Sequence, residues 1–309
     1  MSTARIIGFG AVAIDELLRV DRPLSAGKGR VVEEWQDHGG NVATALVAAS
    51  ALGEPAGYVG WLSDDPRDGA VTASLSSRGV DVGCATRATN ARPIRSTIIV
   101  DDAGERFIAF RDDTRLGAPL GFSPRDHRTA RFLLIDGYAA HTPVVVVEAI
   151  AAGLEVIADI EWSIGAGTDE LLAACQHLVL PWEFAASCTG ETAVHAMIEA
   201  LWSNDRHAVV ITRGASGAWV RQRSEEGVWH QPGFDVDVID TTGCGDWFHG
   251  AYAAALCHGQ DPRGSVRFAA AAAALSAGSL GGRSDAVTPE AVQRLMGSAR
   301  APHPVPVTC

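Results

Sequence analysis

The run Asp240-Thr241-Thr242-Gly243-Cys244-Gly245-Asp246-Trp247-Phe248-His249-Gly250 sets two glycines around one small residue, then a carboxylate, then an alanine-rich stretch, AYAAALCHG. Gly243 and Gly245 free the backbone to turn successive N–H groups in one direction. A helix beginning there adds the positive end of its dipole. Such a turn is a receptacle for negative charge that migrates during a reaction, as in phosphoryl transfer. Asp246 falls in the first turn of that helix, where its carboxylate can reach the same space and accept a proton from a hydroxyl. The segment therefore predicts backbone stabilisation by Gly243, Cys244 and Gly245, with Asp246 as the base. Cys244 reads as a small packing residue rather than a nucleophile.

Other candidates take their meaning from their neighbours. Gly39 and Gly40 turn the chain into an Ala-, Leu- and Val-rich stretch that stops at Gly53, read as a helix packed closely on a sheet. Asp15 follows the first apolar run, and Lys28 lies in a Gly-Lys-Gly loop. Gly8-Phe9-Gly10-Ala11-Val12-Ala13 fits G-x-G-x-x-A after a strand and raises an NAD-binding alternative. Hairpin-like residues follow it, where a dinucleotide-binding unit needs one crossover helix and a second strand ending in an acid.

The elements that must position these residues alternate regularly. RIIGFG (5–10), RFLLIDG (131–137), GLEVIADI (153–160), HLVLP (177–181) and AVVITRG (208–214) are short apolar runs ending near Gly, Pro or Asp, with helical stretches between the later ones. That pattern predicts a mostly parallel sheet covered on both faces, with ligands beyond the carboxyl ends of its strands. Residues 14–37, and 92–100 with 105–111 around the turn D-D-A-G, read instead as half-exposed antiparallel strands. The tail from Ala301 is Pro-rich and reads as irregular.

Composition narrows the classes. With 47% hydrophobic and 20% charged residues in a 309-residue chain, this is a globular protein with a sizeable core. A net charge of −12 without a local Lys/Arg cluster argues against a nucleic-acid partner. Six scattered Cys without C-x-x-C read as reduced thiols. The opening MSTARIIGFG enters a strand at once, so no secretory signal is expected there. No apolar run is long enough for a membrane span, and a cytoplasmic location is expected.

The eleven-residue run differs only at Cys244, in place of Ala, from the D-T-T-G-A-G-D-x-F-x-G signature of the ribokinase-like (PfkB) carbohydrate kinases, which the chain resembles over most of its length. Gly39-Gly40 with its helix looks like that family's N-terminal signature, and Val210 to Gly217 resembles its nucleotide segment. Residues 230–283 look especially like sulfofructose kinases. The resemblance implies a single α/β domain over 1–309, a three-layer αβα ribokinase-like fold with a small β-sheet lid from 14–37 and 92–112, and a homodimer through that lid. It implies ATP with Mg2+, and transfer to a primary hydroxyl of a sugar, with a ketose or an anion-bearing ketose favoured. Asp15, Gly39 and Gly40 would hold the sugar, Lys28 an anionic group, and Thr212, Gly214 and Gly217 the ATP phosphates. Asp240, Thr242, Ser276 and Gly281 match a monovalent-cation (K+) position. Three departures stand out: Thr44 replaces the family's sugar-binding Asn; Trp182-Glu183-Phe184-Ala185 replaces N-x-x-E, leaving Glu183 as the Mg2+ candidate; and Phe110 and Tyr138 stand where sulfofructose kinases hold sulfonate, with Arg111 beside the first. A nucleoside kinase, with Trp35, Phe107 and Phe110 facing the base, and a binding protein built on a decayed kinase are the alternatives within the fold.

Overall fold

The computed structural model describes residues 3–102, 105–111, 127–163, 165 and 167–307. Residues 103, 104 and 112 of the expected lid segment lie outside them. The strands are β1 (Ile6–Phe9), β2 (Ala13–Val20), β3 (Val31–Asp37), β4 (Ala56–Tyr58), β5 (Trp61–Ser63), β6 (Thr86–Ala88), β7 (Ile94–Val100), β8 (Arg106–Arg111), β9 (Phe132–Asp136), β10 (Glu155–Asp159), β11 (His177–Pro181), β12 (Ala208–Thr212), β13 (Ala218–Gln222), β14 (Glu225–Gln231) and β15 (Val305–Pro306). The helices are α1 (Asn41–Ala51), α2 (Gly69–Ser77), α3 (Val144–Ala151), α4 (Gly167–Ala174), α5 (Trp182–Thr189), α6 (Val194–Leu201), α7 (Cys244–Cys257), α8 (Pro262–Ser276) and α9 (Pro289–Met296).

The main sheet runs β15-β14-β13-β12-β11-β10-β9-β1-β4, parallel from β4 to β12 and antiparallel beyond. Side chains alternate across a strand, so the apolar runs feed two cores. Ile6, Leu134, Ile157, Val179 and Val210 pack with α1, α7 and α8. Ile7, Leu133, Val156, Leu178 and Val209 pack with α3 to α6 on the other face. The expected three-layer arrangement follows directly. Helix α7 lies tight on α1 because Gly250 has no side chain; a methyl there would overlap the carbonyl of Ala45. The C-terminal tail departs from expectation. Val305 and Pro306 pair with His230 and Trp229 as an edge strand, where a proline need cost no ladder bond.

The order reverses between β1 and β9: β4 follows on one side, β9 to β12 on the other. The carboxyl ends at this switch carry Gly10, Asp136 and Asp159. Over that edge stands a second sheet, β3-β2-β7-β8, with its own small core of Leu17, Ile98 and Val100 against Trp35. No described helix is long and apolar enough to cross a membrane.

Candidate active site

Gly243 caps α7 in a left-handed conformation, φ 72°, which is open to glycine at little cost. Among the described residues no side chain caps this helix end. Its first amides lack intrahelical acceptors by geometry. Cys244 N makes a long turn bond to Thr241 O, 3.3 Å, so of the three amides expected to receive charge, Gly243 and Gly245 are the freer ones. A Cβ built on Gly245 meets nothing within 4 Å, so this glycine faces open space rather than protein.

Asp246 lies half-buried in the first turn of α7. Withdrawal from water, then the charges of Asp159 and Glu161, push its pKa well above the ordinary aspartate value, with Arg283 opposing and Asp15 adding to the rise. A carboxylate so placed is a stronger base than a free one. Asp15 lies close enough for its charge to act on Asp246. Asp15 accepts a hydrogen bond from Ser96 Oγ on β7, and burial raises its pKa too.

Several site residues were missing from the sequence reading. Arg283 is buried, donates to Ser74 Oγ at 2.6 Å and reaches Gly39 O at 3.4 Å, and burial lowers its pKa to about 10. It is the cation amid Asp15, Asp37 and Asp246. Asp159 ends β10, Glu161 follows two residues later, and both share a small pocket with Asn41, Asp136 and Tyr138. Asp159 is 4% exposed, and its Oδ2 has no hydrogen-bond partner among the described residues. His249 Nδ1 lies 3.5 Å from that oxygen and 2.8 Å from Gly245 O, while its Nε2 lies 2.9 Å from Val179 O. A buried carboxylate with an unspent oxygen, beside a second acid at the rim, is the donor set a hard divalent cation takes. Glu183, the Mg2+ candidate that the family resemblance implies, is exposed in the first turn of α5 and does not figure among the charges acting on Asp246.

The lid contributes Arg106. Its Nη1 donates to Thr241 Oγ1 at 2.8 Å and Thr242 Oγ1 at 3.4 Å, latching β8 onto the glycine loop. Strand pairing puts Asp15, Ser96, Phe110 and Asp37 on one face of the lid. Arg111, paired with Arg95, alternates to the opposite face, where both line a cleft of about 790 Å³. Lys28 is exposed beyond the Val20–Val31 end of the β2–β3 pair, whereas Asp15 pairs with Asp37 at the other end. The structure does not bring Lys28 or Arg111 to Asp246 within the chain. Thr44 is 1% exposed, buried inside α1; Asn41, three residues earlier, is the one that meets Asp159 and Glu161.

Asp240 staples the loop. Its Oδ1 accepts from Thr242 N and Oγ1 (2.9 and 2.7 Å), and its Oδ2 from Gly281 N (3.0 Å). Ser276 Oγ donates to Ala273 O at 2.8 Å and contacts Cys244 Sγ at 3.4 Å, so Ser276 and Gly281 sit against the loop that carries Asp240 and Thr242. Thr212 ends β12 on the same edge of the sheet. Gly214 and Gly217 follow in a turn closed by Gly217 N to Gly214 O, 3.0 Å, with Arg213 stacked over Trp182.

A model of the pfkB family carbohydrate kinases matches residues 4–289. The ATP-dependent ribose-1-phosphate kinase of Halopiger xanaduensis is 30% identical over 293 residues, 93% of this chain and 96% of that protein. A ribokinase-type crystal structure from Agrobacterium tumefaciens superposes with a TM-score of 0.86 at 31% identity, covering 94% of this chain and 96% of that one. Arabidopsis thaliana ribokinase, solved with ribose and ATP, shares the fold at 20% identity and a TM-score of 0.81, covering 97% and 100%. The chain belongs to the pfkB family of carbohydrate kinases, phosphotransferases with an alcohol group as acceptor, and is built on the ribokinase fold.

Proposed function

We propose that this protein transfers the γ-phosphoryl group of ATP to a primary hydroxyl of a sugar, with a sugar that already carries an anionic group favoured. One observation carries the reading: an uncapped, glycine-opened helix start holds Asp246 near Asp15, beneath a lid latched by Arg106. Asp246 takes the proton of the hydroxyl, and the amides of Gly243 and Gly245 receive the charge of the group in flight. Asp15 and the Gly39-Gly40 turn orient the acceptor, and Thr212, Gly214 and Gly217 line the side from which the phosphates approach. Asp159 and Glu161 are the residues that would hold Mg2+, which supplies neutralisation of the triphosphate. Arg106 on the loop keeps the lid over the reacting groups, so that water is excluded and ATP is not hydrolysed.

The anionic preference is supported by Arg283 and Arg106 flanking the acceptor side, and by the ribose-1-phosphate kinase named among the relatives. Exposed Val31, Val32, Phe107 and Ile108 on the lid support its pairing with a second copy. Phe110, 56% exposed on the Asp15 face, supports a nucleoside as the competing acceptor. ADP release from purified protein with Mg-ATP separates these readings. The panel is ribose, ribose 1-phosphate, fructose, fructose 6-phosphate, tagatose 6-phosphate, sulfofructose and several nucleosides. Turnover with sugars or sugar phosphates is expected; turnover confined to nucleosides overturns the assignment.

A further inference from the structure

At the amino ends of β10, β11 and β12, the edge opposite Asp246, three side chains from separate segments converge. Glu155 opens β10, His177 opens β11 and His207 immediately precedes β12. His177 Nε2 lies 2.9 Å, and His207 Nδ1 2.6 Å, from the same oxygen, Glu155 Oε2. The three donor atoms all lie within 4.8 Å of one another. We propose that Glu155, His177 and His207 form a binding site for a borderline-soft divalent metal ion, of which Zn2+ is the representative.

The donor set is two imidazole nitrogens and one carboxylate oxygen, with a fourth position left to solvent, a combination that suits zinc. Bonds of ~2.0–2.1 Å at tetrahedral angles place ligand atoms roughly 3.3 Å apart. The ion-free contacts are shorter, so the ligands must spread by about half an ångström. Glu155 and His207 are half-exposed and free to do so, whereas His177 is 2% exposed and acts as the fixed anchor. Its other nitrogen, Nδ1, sits 2.9 Å from the hydroxyl of Tyr252 on α7, the outer partner that fixes a ligating imidazole. Without an ion, both imidazoles donate to the carboxylate and Tyr252 donates to Nδ1; with one, each ring takes its other tautomer and no proton need leave. Burial pushes the pKa of His177 below the ordinary histidine value, and hydrogen bonding from His177 pulls Glu155 down to about 2. Arg223, the nearby cation, is turned to the carbonyls of Arg206 and Asn204. An ion here would tie three strands of the sheet to α7, the helix that carries Asp246 at its other end.

The test is titration of the EDTA-treated full chain with Zn2+ alone, followed by calorimetry and by thermal unfolding. One ion per chain with micromolar or tighter affinity is expected, with Tm rising by roughly 5 °C at hundredfold excess over Kd. Co2+ in place of Zn2+ should give visible absorption bands of a low-coordinate site. His207→Ala and Glu155→Gln, both at half-exposed positions, should each weaken binding at least tenfold and abolish the Co2+ bands. Tyr252→Phe, which keeps all three ligands, should weaken it by a smaller factor. No Zn2+ binding by the parent chain overturns the proposal, as does undiminished affinity in both ligand variants, which would assign the ion to the acids around Asp246 or to a cysteine.

Discussion

The two edges of one sheet treat carboxylates in opposite ways. At the carboxyl edge Asp15, Asp159 and Asp246 are crowded and withdrawn from water, and their pKa values rise. At the amino edge Glu155 is met by two imidazoles and falls to about 2. The residue chemistry is the same; the difference is whether the protein supplies the partner. Acids held against their own repulsion form a site that awaits cations and hydroxyls from outside. An acid with its partners built in is a structural joint, or a site for an ion that displaces those bonds. Under-satisfaction at one edge costs stability, and the well-packed cores on both faces of the sheet offset it.

The contrast can be broken most sharply at Asp246. Asp246→Asn keeps the shape and removes the base, so kcat should fall by about a thousandfold or more while ATP affinity stays within a few-fold. Unchanged turnover in a steady-state assay would remove Asp246 from the chemistry. Asp159→Asn comes next: the Mg2+ concentration for half-maximal rate should rise about tenfold. The same shift from Glu183→Gln, with none from Asp159→Asn, would move the metal to α5. Releasing the lid by Arg106→Ala should raise the sugar KM several-fold and increase ATP hydrolysis without sugar, with a smaller change in kcat. A parallel loss of kcat with no hydrolysis would place Arg106 in the chemistry instead.

The pH profile sharpens the same point. A base whose pKa is raised keeps its proton to higher pH, so log kcat should drop with unit slope as pH falls, with an inflection clearly above the ordinary aspartate value of 3.8. An inflection at or below that value would mean the crowding is relieved once substrates bind. The smallest effects concern stability. Asp159→Asn should raise Tm by a few degrees by removing buried repulsion, and Glu155→Gln should lower it by a similar amount, about 1 kcal/mol each. Changes of the same sign in the two variants would erase the distinction between the edges.

Much of the carboxyl edge is legible in the sequence because its signals are local. A glycine bend, a helix dipole and a carboxylate within seven residues need no distant partner to be recognised, and strand runs of five or six apolar residues announce the parallel sheet. Pairwise geometry was not legible. The resemblance sets Thr44 at the family's sugar-binding position, yet a helix starting at Asn41 turns Thr44 into the core and Asn41 toward Asp159. Arg111 looked like a neighbour of Phe110, yet strand alternation sends adjacent residues to opposite faces. The edge strand in the Pro-rich tail carried no local sign because it exists only against β14.

What the sequence by itself determined is the fold class and the glycine-opened turn with its following carboxylate, since each follows from backbone preferences written in contiguous residues. Only the tertiary structure decided that Arg283, Arg106 and Asp159 join that turn, and that Glu155, His177 and His207 meet at the far edge. Those residues lie tens to hundreds of positions apart. Their encounter is set by strand order and crossover, which no local pattern of hydrophobicity or charge encodes.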